Sequence, residues 1–222
     1  MQRLAFLLLG CLSMAKAGSN QTMDMYVFAY SWQPEFCYDK TNYYGCEHPE
    51  DFWGKYFTVH GLWPQYSSGG YPSYCTDEAF DPAVPEEIGM DDMTTYWPDT
   101  EYAESDPNYD EFWTHEWTKH GTCSNLSQYD YFSATIALIK KFGTPADYTA
   151  AVGSTISAST LRDDFGGPSY ASLQCSGGNY VNGVFTCWGV DEAYMPTVQI
   201  ECPEDVQGED TCTSETLEVA SF

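Results

Sequence analysis

Phe112-Trp113-Thr114-His115-Glu116-Trp117-Thr118-Lys119-His120-Gly121-Thr122-Cys123 holds two of the chain's four histidines, a carboxylate and one of only eight Lys and Arg residues. At about 100° per residue, a helix from Phe112 to His120 sets Lys119 about 40°, Phe112 about 60°, Glu116 about 100° and His120 about 140° from His115. Titratable groups and an aromatic ring would then share one face. Trp117, at about 200°, is expected to anchor the helix on a core. Gly121 suits the helix end, and Cys123 would pin the next segment of chain.

Taken singly, each residue has an ordinary structural explanation, since a lone histidine is usually solvated and a Glu and Lys at helical spacing usually pair. The cluster argues for chemistry. His115-Glu116 opens like the zinc motif H-E-x-x-H, but the second histidine comes at i+5. Rings about 140° apart on one helix do not reach one metal as that motif requires. No metal and no cofactor is expected.

Working outward, residues 1–17 combine a basic start at Arg3, an apolar run from Leu4 to Leu12 and a small-residue end at Ala15-Lys16-Ala17, the pattern of a secretory signal peptide. The run is too short to span a bilayer, and no later stretch is long enough, so no membrane partner is expected. Residues 18–222 carry no linker, repeat or low-complexity tract and read as one domain. A secreted monomer is expected, with a vacuolar or lysosomal destination as the alternative.

Nine cysteines become eight once Cys11 leaves with the leader. An even set in a secretory chain implies disulfides. Proximity favours Cys37 with Cys46, a bridge from Cys75 to Cys123 would tie a loop to the helix, and Cys175, Cys187, Cys202 and Cys212 pair among themselves in an order left open. Asn20-Gln21-Thr22 and Asn125-Leu126-Ser127 are glycosylation sequons.

The formal charge of −25 becomes −27 without Arg3 and Lys16. Such a surface is the reverse of a nucleic-acid-binding footprint, although screening beyond about 8 Å lets a local patch hold a polyanion. Acidic medium would neutralise carboxylates and charge histidines, so the composition favours work at low pH.

Asp24 to Trp32 alternates with apolar or aromatic residues on both sides, predicting a buried strand that ends at Gln33-Pro34. Lys55 to Pro64 predicts a second strand with His60 near its end, where Gly61 allows close backbone approach. Residues 65–108 read as loops with at most a short helical turn near Pro85 to Ile88. Ser127-Gln128-Tyr129-Asp130 resembles a capping box before an apolar stripe ending at Gly143-Thr144-Pro145. One or two short helices are expected between Pro145 and Phe165, with Ser159 as a cap. Strands are expected over Ala171 to Gln174, Val184 to Val190 and Thr197 to Glu201. The acidic tail after Cys202 is expected to be ordered no further than Cys212 and to carry no chemistry.

Phe57-Thr58-Val59-His60-Gly61-Leu62-Trp63-Pro64 and Glu111 to Cys123 together resemble the two catalytic segments of the ribonuclease T2 family. Trp32-Gln33-Pro34 with Phe36-Cys37 is similar to that family's first strand and its exit. The resemblance implies an α+β fold, a single domain with a central, mainly antiparallel sheet flanked by helices and stabilised by disulfides. It implies metal-free endonucleolytic cleavage of single-stranded RNA through a 2′,3′-cyclic phosphate to 3′-phosphate ends. His60 and His120 become the acid and base, Glu116 and Lys119 the transition-state stabilisers, and His115 a phosphate contact. Trp63 and Tyr71 fall where the family stacks one base and Phe112 where it meets the next; Gln65 stands where some members carry an acidic residue.

The chemistry asks for the same parts. A base must take the 2′-OH proton, an acid must protonate the leaving 5′-oxygen, and cations must face the non-bridging oxygens. Two imidazoles near about 6.5 divide the proton transfers in mild acid, with Glu116 raising a neighbouring histidine. His120 as base and His60 as acid is the preferred assignment, with the reverse left open. The rival reading is a secreted RNA-binding, signalling or cytotoxic protein on this scaffold, with catalysis secondary.

Overall fold

The computed structural model describes residues 22–222. The leader, Cys11 and Asn20 lie outside the described residues. In chain order the elements are β1 (Met25–Ser31), α1 (Gln33–Phe36), α2 (Tyr44–Glu47), β2 (Thr58–Gln65), α3 (Ala83–Ile88), α4 (Met90–Tyr96), α5 (Glu111–Lys119), a 3₁₀ turn (Gly121–Cys123), α6 (Gln128–Phe142) and α7 (Ala146–Ala150). There follow β3 (Ser154–Ser157), α8 (Ala158–Asp164), β4 (Ala171–Ser176), β5 (Tyr180–Val190), β6 (Pro196–Ile200), α9 (Glu204–Gln207) and β7 (Thr216–Val219).

The strands form one sheet in the order β2-β1-β5-β7-β3, with β4 and β6 also pairing β5. All pairings are antiparallel except β5 with β7. The α+β class therefore holds, with β2 at an edge. Every residue of β1 is buried: Tyr26, Phe28 and Tyr30 face the main core, while Met25 and Val27 face a smaller cluster with Cys187, Cys202 and Val206. Alternation accounts for both sets.

On the main-core side lie α5 and α6. Trp113 and Trp117 of α5 join Tyr131 and Phe132 of α6 in that core. Ser127 caps α6 by accepting from the Asp130 N–H and donating its hydroxyl to the Asp130 carboxylate, a bond to the cap's side chain where the usual glutamate bonds the cap's backbone N–H. The bridges are Cys37–Cys46, Cys75–Cys123, Cys175–Cys212 and Cys187–Cys202. No helix among the described residues is long and apolar enough to cross a membrane.

Three expectations need correction. The stretch 65–108 contains two helices, and α4 was hidden because its apolar contacts reduce to isolated residues such as Met93 facing α6. Before α8 a short strand, β3, intervenes, and Ser157 rather than Ser159 accepts from the Thr160 N–H as the cap. The tail does not fade at Cys212. Leu217 and Val219 are buried, β7 pairs β3, and the Trp32 indole donates to the Ala220 carbonyl at 2.9 Å.

Candidate active site

β2 does not alternate cleanly, and that irregularity builds the site. Tyr30 pairs Val59 while the adjacent Ala29 pairs Gly61, leaving His60 as the extra residue of a bulge. Strict period-two alternation would send His60 and Trp63 to opposite faces of the sheet. The bulge resets the parity, as bulges do: Val59 and Leu62 both reach the main core, and the His60 and Trp63 rings meet edge to face at 5.4 Å. The Trp97 indole donates to the His60 carbonyl at 3.1 Å, fixing the bulged peptide.

α5 supplies the other half of the site. Its first turn carries Glu111 and its last Lys119, the charge order a helix dipole favours. His120 sits at the C-cap, its N–H bonded to the Glu116 carbonyl. Trp117, 1% exposed, is the core anchor. Gly121 serves a purpose other than a left-handed cap: it begins the 3₁₀ turn, and a Cβ there would run into the Trp117 ring. A Cβ at Gly61 would likewise meet the Glu116 carboxyl and the Trp63 indole. Both glycines are therefore required by close approach.

Trp63 is the hub. Its indole N–H donates to Glu116 Oε2 at 2.9 Å, its ring stacks on His120 at 5.3 Å, and Phe185 packs against it. His60 also meets Phe112 edge to face at 5.5 Å. Glu116 Oε1 lies 4.0 Å from His60 Nε2, beyond direct hydrogen-bond range.

Three adjoining clefts open around this hub. One of about 350 Å³ is bounded by His60, Phe112, Gln33, Asp99 and Glu101. A second, about 520 Å³, shares His60 and reaches Trp63, Phe185, Phe36, Lys40 and Asn182. The third, about 150 Å³, is lined by Trp63, Gln65, Tyr71, Lys119, His120 and Glu209. His60 and His120 thus line neighbouring depressions with Trp63 as the wall between them. They remain close enough that His60 disfavours the charged form of His120.

The electrostatics depart from the sequence expectation. Burial pushes the Glu116 carboxyl up to about 8, against the Trp63 hydrogen bond and Lys119. Burial, then Lys119, His115 and His60, lower His120 to about 3; its ring is 5% exposed and its Nδ1 has no partner. His60 is lowered to about 4 by the protein packed around it, then by His115 and Lys119. Since 46% of its side chain is open, water softens that push on His60. His115, exposed on the helix, is lowered by burial and Lys119. Instead of two imidazoles near their ordinary value beside a carboxylate, the site favours neutral imidazoles beside a protonated Glu116, because burial and the neighbouring positive charges act together on the histidines while burial outweighs Lys119 at the carboxyl.

Of the nine residues singled out from the sequence, His60, Phe112, Trp63, Gln65, Tyr71, Lys119 and His120 line these clefts, Glu116 lies behind them on the Trp63 indole, and His115 lines none of the three but acts on the charge of His60 and His120. Sequence reasoning missed Trp97, Phe185, Glu209 and Asp99. Asp99 accepts from the Phe112 and Glu101 amides at 3.2 and 2.9 Å, and burial pushes it up to about 6 against those bonds. Only Trp97-Pro98, a turn-forming dipeptide, gave any local signal.

A family model described as the Ribonuclease T2 family matches residues 23–187. Ribonuclease 3 of Arabidopsis thaliana is 38% identical over 127 residues, 54% of each chain. Ribonuclease T2 of Sus scrofa is 38% identical over 123 residues, 52% of this chain and 53% of that one. The chain therefore spans about half the length of these curated relatives. Among solved structures, RNase NT in complex with 5′-AMP superposes with a TM-score of 0.70 at 26% identity, covering 91% of this chain and 100% of that one. Ribonuclease MC1 from bitter gourd seeds gives 0.66 at 26%, covering 88% and 99%.

Proposed function

This chain belongs to the ribonuclease T2 family, and from that premise we propose that it is an endoribonuclease that cuts single-stranded RNA by acid and base catalysis without a metal. The observation that carries the proposal is the pair of imidazoles, His60 and His120, held on either side of the Trp63 indole with Glu116 and Lys119 beside them.

In this mechanism His120 takes the ribose 2′-OH proton, the 2′-oxygen attacks phosphorus, and the 5′-oxygen leaves with a proton from His60. The product is a 2′,3′-cyclic phosphate, which water opens to a 3′-phosphate with the roles reversed. Burial supports this division of labour. His120 is the more enclosed and rests neutral, as a group that is to take up a proton must. His60 is the more open and the easier to protonate once the phosphodiester brings its negative charge, because an adjacent anion favours imidazolium.

Lys119 faces the non-bridging oxygens as a fixed cation. Glu116, held protonated, donates its O–H to one of them, which a carboxylate could not do. Trp63, Tyr71 and Gln65 receive the base 5′ of the cut, Phe112 and its cleft the base 3′ of it, and His115 a phosphate at the rim. The protein acts as a secreted monomer and carries N-glycan at the exposed Asn125.

Each of His60→Ala and His120→Ala is expected to lower RNA cleavage by at least ~10² with the near-UV spectrum intact. EDTA should leave the wild-type rate unchanged, and the first products should carry cyclic phosphate ends. Near-normal activity in either variant, or loss of activity with EDTA, overturns the proposal.

A further inference from the structure

The C-terminal segment, which lies beyond the family match at residues 23–187, reaches the smallest of the three clefts. Its ends are fixed by Cys187–Cys202 and Cys175–Cys212. Between them Val206 is buried in the smaller cluster, and Asp205 accepts from the Gly70 N–H at 2.7 Å, tying the segment to the loop that presents Tyr71. Gln174 donates to the Glu209 carbonyl at 3.0 Å. The next residue, Asp210, pairs with Arg162 at 2.8 Å. The backbone at Glu209 is thus held from both sides.

Glu209 lines the 150 Å³ cleft together with Trp63, Gln65, Tyr71, Lys119 and His120. Partial burial and the nearby Asp205 raise its pKa. The Gln65 side chain is buried in the same cleft. An amide and a carboxylate therefore border a slot walled by aromatic rings, beside the imidazole and lysine.

Building on the ribonuclease reading, we propose that Glu209 is a specificity-determining residue: its carboxylate accepts a hydrogen bond from the exocyclic amino group of the base stacked on Trp63, favouring adenine and cytosine over guanine and uracil. A carboxylate only accepts. Adenine N6 and cytosine N4 carry an N–H₂ group at corresponding ring positions. Guanine and uracil turn a carbonyl oxygen toward the same place, where it meets the carboxylate's negative charge. Gln65, which can donate and accept, tolerates either edge and leaves the discrimination to Glu209.

The test compares kcat/KM for ApA, CpA, GpA and UpA in wild type, Glu209→Gln and Glu209→Ala. The wild type is expected to cut UpA and GpA on the order of 10-fold more slowly than ApA and CpA, the scale of one base-specific contact. Both variants should bring that ratio close to one. A purely structural role lowers all four substrates together and preserves the ratio; that result, or an unchanged ratio without any loss, overturns the proposal. A wild type that cuts none of the four overturns the ribonuclease reading instead. The specificity is then judged from equilibrium binding of 3′-AMP against 3′-UMP, where equal affinity counts against Glu209.

Discussion

Glu116 is 1% exposed, and its environment writes a pH dependence into the fold. Burial raises its pKa from 4.5 to about 8, so the folded protein holds this proton more tightly than the unfolded chain. The stability it contributes is complete below about pH 4.5 and is lost as pH rises through about 8. His60 and His120, lowered from 6.5, run the other way. Their contribution is complete above about pH 6.5 and is lost as pH falls toward about 4 and about 3. Between pH 6.5 and 8 the carboxyl is therefore the group of the site whose contribution changes. Unfolding free energy from urea titrations should drop across that window by on the order of 2 kcal/mol, and Glu116→Gln, which keeps an acceptor for the Trp63 indole, should flatten the drop. A variant with the wild-type slope would mean that Glu116 is already ionised in the folded protein, and the proposed donation of its O–H to the phosphoryl oxygen would fail with it.

The bulge in β2 decides whether His60 and Trp63 share a face, and Trp97 holds it through one hydrogen bond to the His60 carbonyl. Trp97→Phe keeps an aromatic ring in the core but removes that donor. The expected cost is about 1–3 kcal/mol for the abandoned acceptor, plus the smaller ring's cavity, together with a fall in kcat larger than in Trp113→Phe, whose indole serves the Trp97 carbonyl rather than the bulge. Equal kcat in the two variants would show that the bulge does not position His60. This is also where the sequence stops being legible. β1 could be read because both of its faces are apolar, and α5 because its histidines, lysine and carboxylate repeat at helical spacing. The parity reset at His60 has only an ambiguous local mark, since Gly61 signals a bulge or a close approach alike, and the reset arises from pairing with Tyr30 and from a tryptophan 37 residues away. The pKa directions were illegible for the same reason: Glu116 is titrated by its burial, and burial depends on the packing of α5 against β2. Glu209 escaped because an acidic tail looks solvated until two disulfides fold it back onto the site.

Across the whole molecule, positive charge is scarce and mostly committed. Lys55, Lys140 and Arg162 each face an aspartate, and Lys40 and Lys141 lie over aromatic rings. Lys119 is left as the lysine beside the two imidazoles, with Lys40 lining the second cleft, in a chain of net charge −25. On the proposed function, an RNA strand approaching this surface would be repelled at long range and attracted only close to the cleft. Salt acts unequally on the two: with a screening length of about 10 Å at 0.1 M, it weakens the distant repulsion more than the contacts inside a half-buried site. A nuclease that grips its substrate through a basic surface loses affinity steadily as salt rises. Here the opposite is expected at neutral pH, with KM for a long single-stranded RNA falling as ionic strength rises from about 10 to about 100 mM. A dinucleotide, which spans little beyond the cleft, should respond weakly. Near pH 4, where carboxylates begin to protonate, the long substrate's response should shrink toward the dinucleotide's. A KM for long RNA that climbs with salt at neutral pH would reveal a basic track outside the cleft, and the acidic surface would then have no part in setting where the enzyme works.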